Sequence, residues 1–160
     1  MDQLYKTAGV WMLYDGKHNT VRIDWAGSIS SSEFKNAMYA LLRQTHILRN
    51  CSVVLDFSKM KDISPRARVW FQDDFLKNEG QEMLNCVDYM AVVIPDNTLA
   101  QFITDNFKEL CLNACSNLKY SEYGNFYKAI RWLKSSLESS SNNSKSILDY
   151  IPRMLRPGLL

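Results

Sequence analysis

Acidic and hydroxyl side chains follow one another closely in the stretch VVLDFSKMKDISPRARVWFQDDF, residues 53–75. Asp56 and Ser58 come directly after an apolar run that predicts a buried strand, and Asp96 follows a second such run. In open α/β sheets ligands bind at the carboxyl edge of the strands, and converging carboxylates there suit a metal-assisted site. The same residues are also ordinary turn chemistry after a strand, and the sequence favours that interpretation.

After Phe57 the sequence predicts a short loop, and a serine–proline pair, Ser64 and Pro65, then predicts the start of a helix. Serine is a preferred N-cap because its oxygen accepts a hydrogen bond from a backbone NH, and proline suits the first helical position because it lacks an NH. The functional alternative is a regulatory serine, because the helix dipole would favour a phosphate there and Arg66 or Arg68 would meet it. The cap accounts for both residues, so the sequence favours the structural interpretation.

Three aromatic residues, Trp70, Phe71 and Phe75, lie on the helix that follows. If their face is not fully covered, they line a ligand pocket or form an association patch, since aromatic anchors are enriched at interfaces. Core packing is the alternative that the sequence favours for most of them. The candidate partner or ligand surface comprises Asp56, Ser58, Ser64, Arg66, Trp70, Phe71 and Asp96.

The other reactive residue types give no pattern of catalysis or metal binding. The cysteines are not spaced as CxxC, and neither His18 nor His46 lies near a pair of them, which argues against a zinc site. Asp73 and Asp74 diverge by about 100° around a helix, so they cannot face one ligand. No glycine-rich phosphate loop and no nucleophile elbow is present. We therefore predict a protein that is not an enzyme, with no catalytic residues, no cofactor and no metal.

The elements that must position these residues alternate in the order β-β-α-β-α-β-α-β-α. Val10–Tyr14 and Thr20–Trp25 flank a run of turn residues and predict a β-hairpin. Ser30 and Glu33 have the spacing of a capping box, and an amphipathic helix follows them. Strands that alternate with helices imply parallel neighbours joined by crossovers, so we predict an α/β fold with a mixed sheet of about five strands and about four helices.

A change in composition near the end divides the chain into three parts. Residues 1–137 form the predicted α/β domain, and residues 138–146, ESSSNNSKS, predict a flexible linker. Residues 147–160 carry apolar side chains about four apart among basic ones, which predicts an amphipathic tail. We expect this tail to dock on its own body or on a second copy, with a free or disordered tail as the alternative.

Charge and hydropathy limit the classes of partner. The net charge of +2 is carried by the last 22 residues, so the body has no basic excess to hold a phosphate backbone, and we predict no nucleic-acid binding. No apolar run approaches the roughly 20 residues that span a bilayer, and the N-terminus shows no signal-peptide pattern. We therefore expect a cytoplasmic protein in which only the tail is suited to touch a membrane.

Several segments between Val10 and Ser136 together carry a family resemblance: VRIDWAGSISSSEFKNAM, VVLDFSKMKDIS, the tryptophan of ARVWFQDDFL, MAVVIPD and AIRWLKSS. With these segments in this order, the chain resembles the STAS-like fold of bacterial anti-sigma-factor antagonists. Within that fold it is most similar to the SpoIIAA-like branch of small uncharacterised bacterial proteins. The resemblance implies a domain that acts by binding other proteins.

In the antagonist proteins the corresponding strand leads to an Asp-Ser-Ser-Gly turn at a helix start, where a partner kinase phosphorylates the first serine and switches binding. Aligned without a gap from Leu55, this chain has Ser64 at the aspartate position, Pro65 at the phosphorylated serine and Ala67 at the glycine. The resemblance therefore implies the geometry of that turn without its acceptor hydroxyl. We expect a module without the phosphoserine switch.

Three hypotheses about function follow from these observations. The first is a non-enzymatic, STAS-like binding or regulatory module that contacts a partner protein or forms a homodimer. The second is a carrier of a small apolar or lipid ligand, because the aromatic helix suits the wall of a cavity. The third and most remote is an enzyme that uses Asp56 and neighbouring carboxylates at the sheet edge.

Overall fold

The computed structural model describes residues 1–94, 98–114 and 117–150. Its strands are β1 (Asp2–Lys6), β2 (Val10–Asp15), β3 (Thr20–Ile29), β4 (Cys51–Ile63), β5 (Val87–Val93) and β6 (Lys119–Tyr123). Its helices are α1 (Ser31–Leu48), α2 (Pro65–Trp70), a π-helical segment Phe71–Gly80, α3 (Gln81–Leu84), α4 (Thr98–Ala114) and α5 (Phe126–Tyr150). The elements from α2 to α3 follow one another without a break, so the described residues form four helical units.

The strands form one six-stranded sheet in sequence order, from β1 at one edge to β6 at the other. β1, β2 and β3 pair antiparallel, and β3 to β6 pair parallel. The predicted mixed α/β sheet is therefore confirmed, with the hairpin at the predicted place. The prediction of about five strands missed β1, because the short, largely exposed sequence DQLYK has no apolar alternation.

Strand β4 is longer than the sequence indicates. Its first seven residues are all buried, as the continuous apolar run predicts. The predicted loop between Phe57 and Ser64 is wrong, because β4 continues to Ile63 and pairs there with the end of β3. β5 ends opposite Asp56, so this second half of β4 has a neighbour on one side only and tolerates polar residues.

One face of the sheet is covered by α1, by the helical unit from α2 to α3, and by α4. The main hydrophobic core lies there, and its largest fully buried side chains include Trp25, Phe34 and Phe57. Helix α1 starts as predicted: the Ser30 side chain accepts a hydrogen bond from the Glu33 backbone NH, and the Glu33 side chain accepts one from the Ser30 backbone. This capping box fixes where α1 enters the core.

Helix α5 packs on the opposite face of the sheet. Its Ala129 and Leu133 join Val54, Ala91 and Val93 in a second, smaller core that covers β4, β5 and β6. Over β2 and β3 the helices of the described residues do not cover this face, except where Phe126 at the start of α5 meets Arg22. The sheet is therefore sandwiched over one half and covered on one face over the other.

The bounds of α5 extend to Tyr150, through the segment 138–146 that the composition predicts as a flexible linker. The predicted linker is thus helical, because serine and asparagine lower helix propensity by only tenths of a kcal/mol per residue and do not break a helix as proline does. The last ten residues of the predicted tail, 151–160, lie outside the described residues. None of the described helices combines the length and the apolar character needed to cross a membrane.

We expect the buried thiol of Cys51 to make stability depend on alkaline pH. Burial raises its pKa to about 12 from an ordinary value of 9.0. Because the pKa is higher in the folded chain, the contribution to stability is complete below pH ~9 and is lost as the pH rises towards ~12. From pH ~8 to pH ~10 the free energy of unfolding should therefore fall about 1 kcal/mol less in Cys51→Ala than in the wild type.

Urea unfolding at the two pH values measures this difference. Cys86→Ala serves as the matched control because Cys86 is only half-buried. The same fall in the Cys51→Ala protein and in the wild type would contradict the expectation.

Candidate functional site

The start of α2 is held by two hydrogen bonds of Ser64. The Ser64 backbone NH donates to the Ile29 carbonyl at 3.1 Å, which ties the helix start to the end of β3. The Ser64 hydroxyl accepts from the Ala67 backbone NH at 3.2 Å, and Pro65 occupies the first helical position. The predicted capped helix start is therefore present.

The outer side of α2 carries an exposed apolar ridge. The Val69 side chain is 61% exposed, and Pro65 lies exposed one turn before it. On one side of the ridge lies a depression of about 470 Å³, and on the other lies one of about 220 Å³ that reaches Phe102 of α4. We call the ridge and the larger depression the α2 surface; its residues are Pro65, Arg66, Val69, Trp70, Asp73 and Asp74.

The inner side of the same helical unit is filled by aromatic rings. The ring of Phe34 lies 5.5 Å from that of Phe71, and the ring of Trp70 lies 5.2 Å from that of Phe75, centroid to centroid. Phe71 is completely buried, so its place in the candidate surface is wrong: it belongs to the core. Trp70 is 8% exposed, and its accessible edge borders the larger depression.

Aromatic rings of the described residues occupy the space beneath α2 in which a carrier would hold an apolar ligand. The rings of Trp25, Phe34, Phe57, Trp70, Phe71 and Phe75 are in mutual contact there. Such contacts leave no space for a ligand of several hundred Å³. The aromatic residues of the sequence serve the core, which is the alternative that the sequence favours.

A polar pocket of about 220 Å³ lies on the other face of the sheet, where α5 does not cover β3. Asp24 and Asp56 are register partners on β3 and β4, so their carboxylates are neighbours. The register shifts just beyond them, and such bulges commonly re-aim side chains next to functional sites. The pocket is lined by Trp11, Arg22, Asp24, Trp25, Ala26, Asp56 and Lys59.

Arg22 joins the two carboxylates of the polar pocket. Its Nε donates to Asp24 Oδ1 at 2.6 Å, and its Nη2 lies 3.8 Å from Asp56 Oδ2. The Ser58 backbone NH and hydroxyl both donate to Asp56 Oδ1, at 3.0 and 2.6 Å. Burial raises the pKa of Asp24, and the neighbouring Asp56 adds to the rise, whereas Arg22 opposes it.

This network gives Asp56 and Ser58 a structural role. The two hydrogen bonds from Ser58 hold the backbone of β4 where its register shifts against β3, as aspartate commonly does in turns. The arrangement holds two carboxylates and a guanidinium in a partly dry pocket, where a carboxyl group with a raised pKa is suited to exchange a proton. A search of the described residues finds no set of three or more His, Cys, Asp or Glu side chains arranged to hold a metal.

The candidate residues do not form one site. Asp56 and Ser58 line or support the polar pocket on the face that carries α5, whereas Ser64, Arg66 and Trp70 belong to α2 on the opposite face. Seven further residues of β4, about 23 Å of strand, separate Asp56 from the helix start. Asp96 lies outside the described residues.

Sequence reasoning missed the pairing of Arg22 with Asp24. The alternation of Thr20, Arg22 and Asp24 with apolar residues predicts a solvated strand face, and these residues lie on the face of the sheet that α5 covers only in part, with Phe126 over Arg22. The signal that was available is the i, i+2 spacing of opposite charges, which places both side chains on one face of a strand. The third member, Asp56, comes from a strand 32 residues away and has no local signal.

Comparison with known proteins identifies the type of fold. No protein-family model matches the chain, and no curated protein matches it. Among solved structures, the chain is similar to an uncharacterised protein of the DUF3478 family with a SpoIIAA-like fold from Shewanella loihica PV-4. The TM-score is 0.54 at 10% sequence identity, and the match covers 81% of this chain and 97% of that one. The chain therefore has a SpoIIAA-like fold, as the resemblance implies.

We expect Ser64 to contribute stability as an N-cap. Ser64→Ala should lower the free energy of unfolding by about 1 kcal/mol, because the Ala67 NH loses its acceptor. Ser64→Asp should keep the wild-type stability, since aspartate also caps a helix. Thermal and urea unfolding of the three proteins measure this, and equal losses in both variants would show that the cap does not contribute.

We expect Arg22 to be the cation that makes the polar pocket stable. Arg22→Met should lower the free energy of unfolding by about 1–3 kcal/mol at neutral pH, because Asp24 and Asp56 then face each other without a bridging charge. The loss should shrink as the pH falls, since a carboxyl group with a raised pKa takes up a proton first in the folded chain.

Urea unfolding at neutral and at mildly acidic pH tests this expectation. Lys59→Met is the matched control because Lys59 lines the same pocket without an ion pair among the described residues. A loss in Arg22→Met that does not change with pH would contradict the role given to the two carboxylates.

Proposed function

We propose that the chain is a non-enzymatic protein-binding module whose contact site is the α2 surface. The observation that carries the proposal is the exposure of Val69, 61%, beside Pro65 and between two depressions. An isolated exposed valine is ordinary, but here it forms a ridge with concave surface on both sides. A partner protein can pack against the projecting valine and into the depressions on both sides of it.

The charges around the ridge support an interface with a protein. Arg66 lies on one side of the larger depression, and Asp73 and Asp74 lie at its other end, so the apolar centre has a polar rim of both signs. Apolar centres with polar rims are the usual anatomy of protein interfaces. Trp70 adds an aromatic edge, a residue type that is enriched among the strongest contacts.

Proteins of similar fold provide a precedent for binding at this helix start. In the antagonist proteins that the chain resembles, the turn before this helix is where phosphorylation switches binding. In this chain Pro65 stands at the acceptor position and Ser64 is used as the cap. The proposed module therefore binds without a phosphoserine switch, and its affinity is set by the apolar ridge.

Two further expectations accompany this proposal. The partner is a second protein or a second copy of the chain, and the same surface serves either. The cytoplasmic location expected from the sequence stays a prediction that fractionation of the native host would test.

Val69→Asp tests the proposal because a carboxylate on the ridge must be dehydrated in any interface that covers it. The full chain with an affinity tag is expressed in its native host as wild type, Val69→Asp and Ile47→Asp, and bound proteins are quantified by mass spectrometry. Ile47 on α1 is the matched control, since its side chain is 73% exposed and lies outside the α2 surface. We expect one protein to be lost about tenfold from Val69→Asp alone.

Sedimentation of the purified proteins distinguishes self-association. If the partner is a second copy, wild type and Ile47→Asp should dimerise with increasing concentration and Val69→Asp should stay monomeric. Binding that is the same for all three proteins would overturn the α2 surface as the contact site.

A further inference from the structure

A row of three side chains crosses the uncovered part of the sheet at the polar pocket. Trp11 of β2 is the register partner of Asp24 on β3, and Asp24 is the register partner of Asp56 on β4. Neighbouring strands lie about 4.8 Å apart, so the row spans about 10 Å. All three residues line the pocket of about 220 Å³. An indole ring and two carboxylates are therefore presented side by side to a molecule that enters it.

The indole ring of Trp11 has no role in the packing of the described cores. Trp11 is half-buried, and it belongs neither to the main hydrophobic core nor to the smaller core under α5 among the described residues. A large aromatic side chain that does not pack in a core leaves much of its apolar surface available for contact. Aromatic side chains beside a few convergent polar groups are the usual lining of small-molecule sites.

Each of the two carboxylates keeps one oxygen without a hydrogen-bond donor. Asp24 Oδ1 accepts from Arg22, and Asp56 Oδ1 accepts twice from Ser58. No donor of the described residues lies within hydrogen-bonding distance of Asp24 Oδ2 or of Asp56 Oδ2, since even Arg22 Nη2 is 3.8 Å from the latter. Asp56 is only 7% exposed, and a carboxylate in such surroundings gains stability from a further donor. A ligand can therefore satisfy two neighbouring acceptors at once.

Residues that line the pocket also hold unused donors. The terminal nitrogens of Arg22 have no acceptor within hydrogen-bonding distance among the described residues, and the Phe126 ring, 3.7 Å from the guanidinium carbon, holds the group in place. Lys59 has no ion pair in this part of the chain. The buried indole NH of Trp25 likewise has no acceptor in the described structure. Donors and acceptors are therefore both available to a ligand.

The balance of charge in the pocket favours a neutral ligand. The carboxylates of Asp24 and Asp56 face the cations of Arg22 and Lys59, so the charges of the lining cancel. An ionic ligand would bring an uncompensated charge into a partly buried site, which costs free energy. A hydroxyl group both donates and accepts, so it uses the available acceptors and donors without adding a charge. A ring with hydroxyls at its edge and C–H groups on its face also packs on an indole.

We propose that the polar pocket binds a single sugar ring, with the C–H face of the ring on Trp11 and its hydroxyls on Asp24 and Asp56. Arg22 and Lys59 donate hydrogen bonds to the oxygens of the ring. The pocket is smaller than the roughly 300–1,000 Å³ of sites for drug-sized ligands, so it takes one ring. The site lies on the opposite face of the sheet from the α2 surface, and the two proposals are tested by separate variants.

Saturation-transfer NMR with the full-length protein tests this proposal. The probes are D-glucose, D-galactose, D-mannose and D-ribose, each titrated to about 50 mM, with ethylammonium chloride and sodium acetate as charged probes of similar polarity. We expect at least one of the sugars to bind with a Kd of about 1 mM, since a ligand of about twelve non-hydrogen atoms supports little more. Neither ion should bind with a comparable affinity, because the charges of the lining already cancel.

Variants locate the bound sugar. Trp11→Leu and Asp24→Asn should each weaken its binding about tenfold, because the first removes the stacking face and the second removes an ionised acceptor. Trp11→Phe keeps a ring, so its affinity should stay within about threefold of the wild type. Tyr127→Leu is the matched control, since Tyr127 is 81% exposed on α5 and does not line the pocket. Urea unfolding shows that each variant is folded.

Three outcomes would overturn the proposal. The absence of saturation transfer to all four sugars would show that the pocket does not hold a sugar ring. Binding of ethylammonium or acetate as tightly as the best sugar would assign the pocket to an ion. Sugar binding that Trp11→Leu leaves unchanged, or that Tyr127→Leu weakens equally, would place the sugar elsewhere on the protein.

Discussion

The double burial of β4 is the constraint on which the rest of the structure depends. Residues 51–57 are all buried, so both faces of the sheet must be covered at this strand. On one face α1 and the helical unit from α2 to α3 supply the cover, and on the other α5 brings Ala129 and Leu133 against Val54. The helices on both faces are therefore positioned by the burial of β4. The part of the sheet that α5 leaves uncovered lies beside β4, over β2 and β3.

The point at which β5 stops divides β4 into a buried half and a half with polar residues. β5 ends at Val93 opposite Asp56, and β4 then pairs with β3 alone. Beyond Asp56 the strand accordingly carries Ser58 and Lys59, both exposed. The strand nevertheless continues to Ile63, because its ladder with β3 carries the chain to the point where α2 begins. Strand β4 thus contributes Asp56 and Lys59 to the polar pocket and then leads to Ser64, where α2 begins.

The local chemistry of the fold could be predicted from the sequence, whereas the pairings between distant strands could not. The capping box of Ser30 and Glu33 and the cap of Ser64 depend on neighbours within three residues, and both are present. The order of elements follows from periodicity, which is also local. The second half of β4 was predicted as a loop because it carries polar residues. A strand tolerates them here because β5 ends opposite Asp56, and that pairing is not visible in the local sequence.

The candidate site was predictable to the same extent and for the same reason. Ser64 and Arg66 are where the sequence places them, at a helix start. The assignment of Phe71 to a surface failed because the spacing of aromatic residues gives a helical face without saying what covers it. The contact of Arg22 with Asp56 joins two strands, and only the register between them brings the side chains together.

The width of the sheet explains why part of the face that carries α5 stays uncovered. Six strands at about 4.8 Å span about 24 Å, and a helix with its side chains covers about 10 Å. One helix therefore covers two or three strands, and α5 is placed over β4, β5 and β6 by the burial of β4. On β3 the uncovered face is stabilised at one end by charges, where Arg22 lies between Asp24 and Asp56. At the other end, Asp15 and His18 of the hairpin form an ion pair beside the apolar flank of α5, where Ile130 and Leu137 remain partly exposed. Charges of the hairpin thus border the uncovered face at both ends.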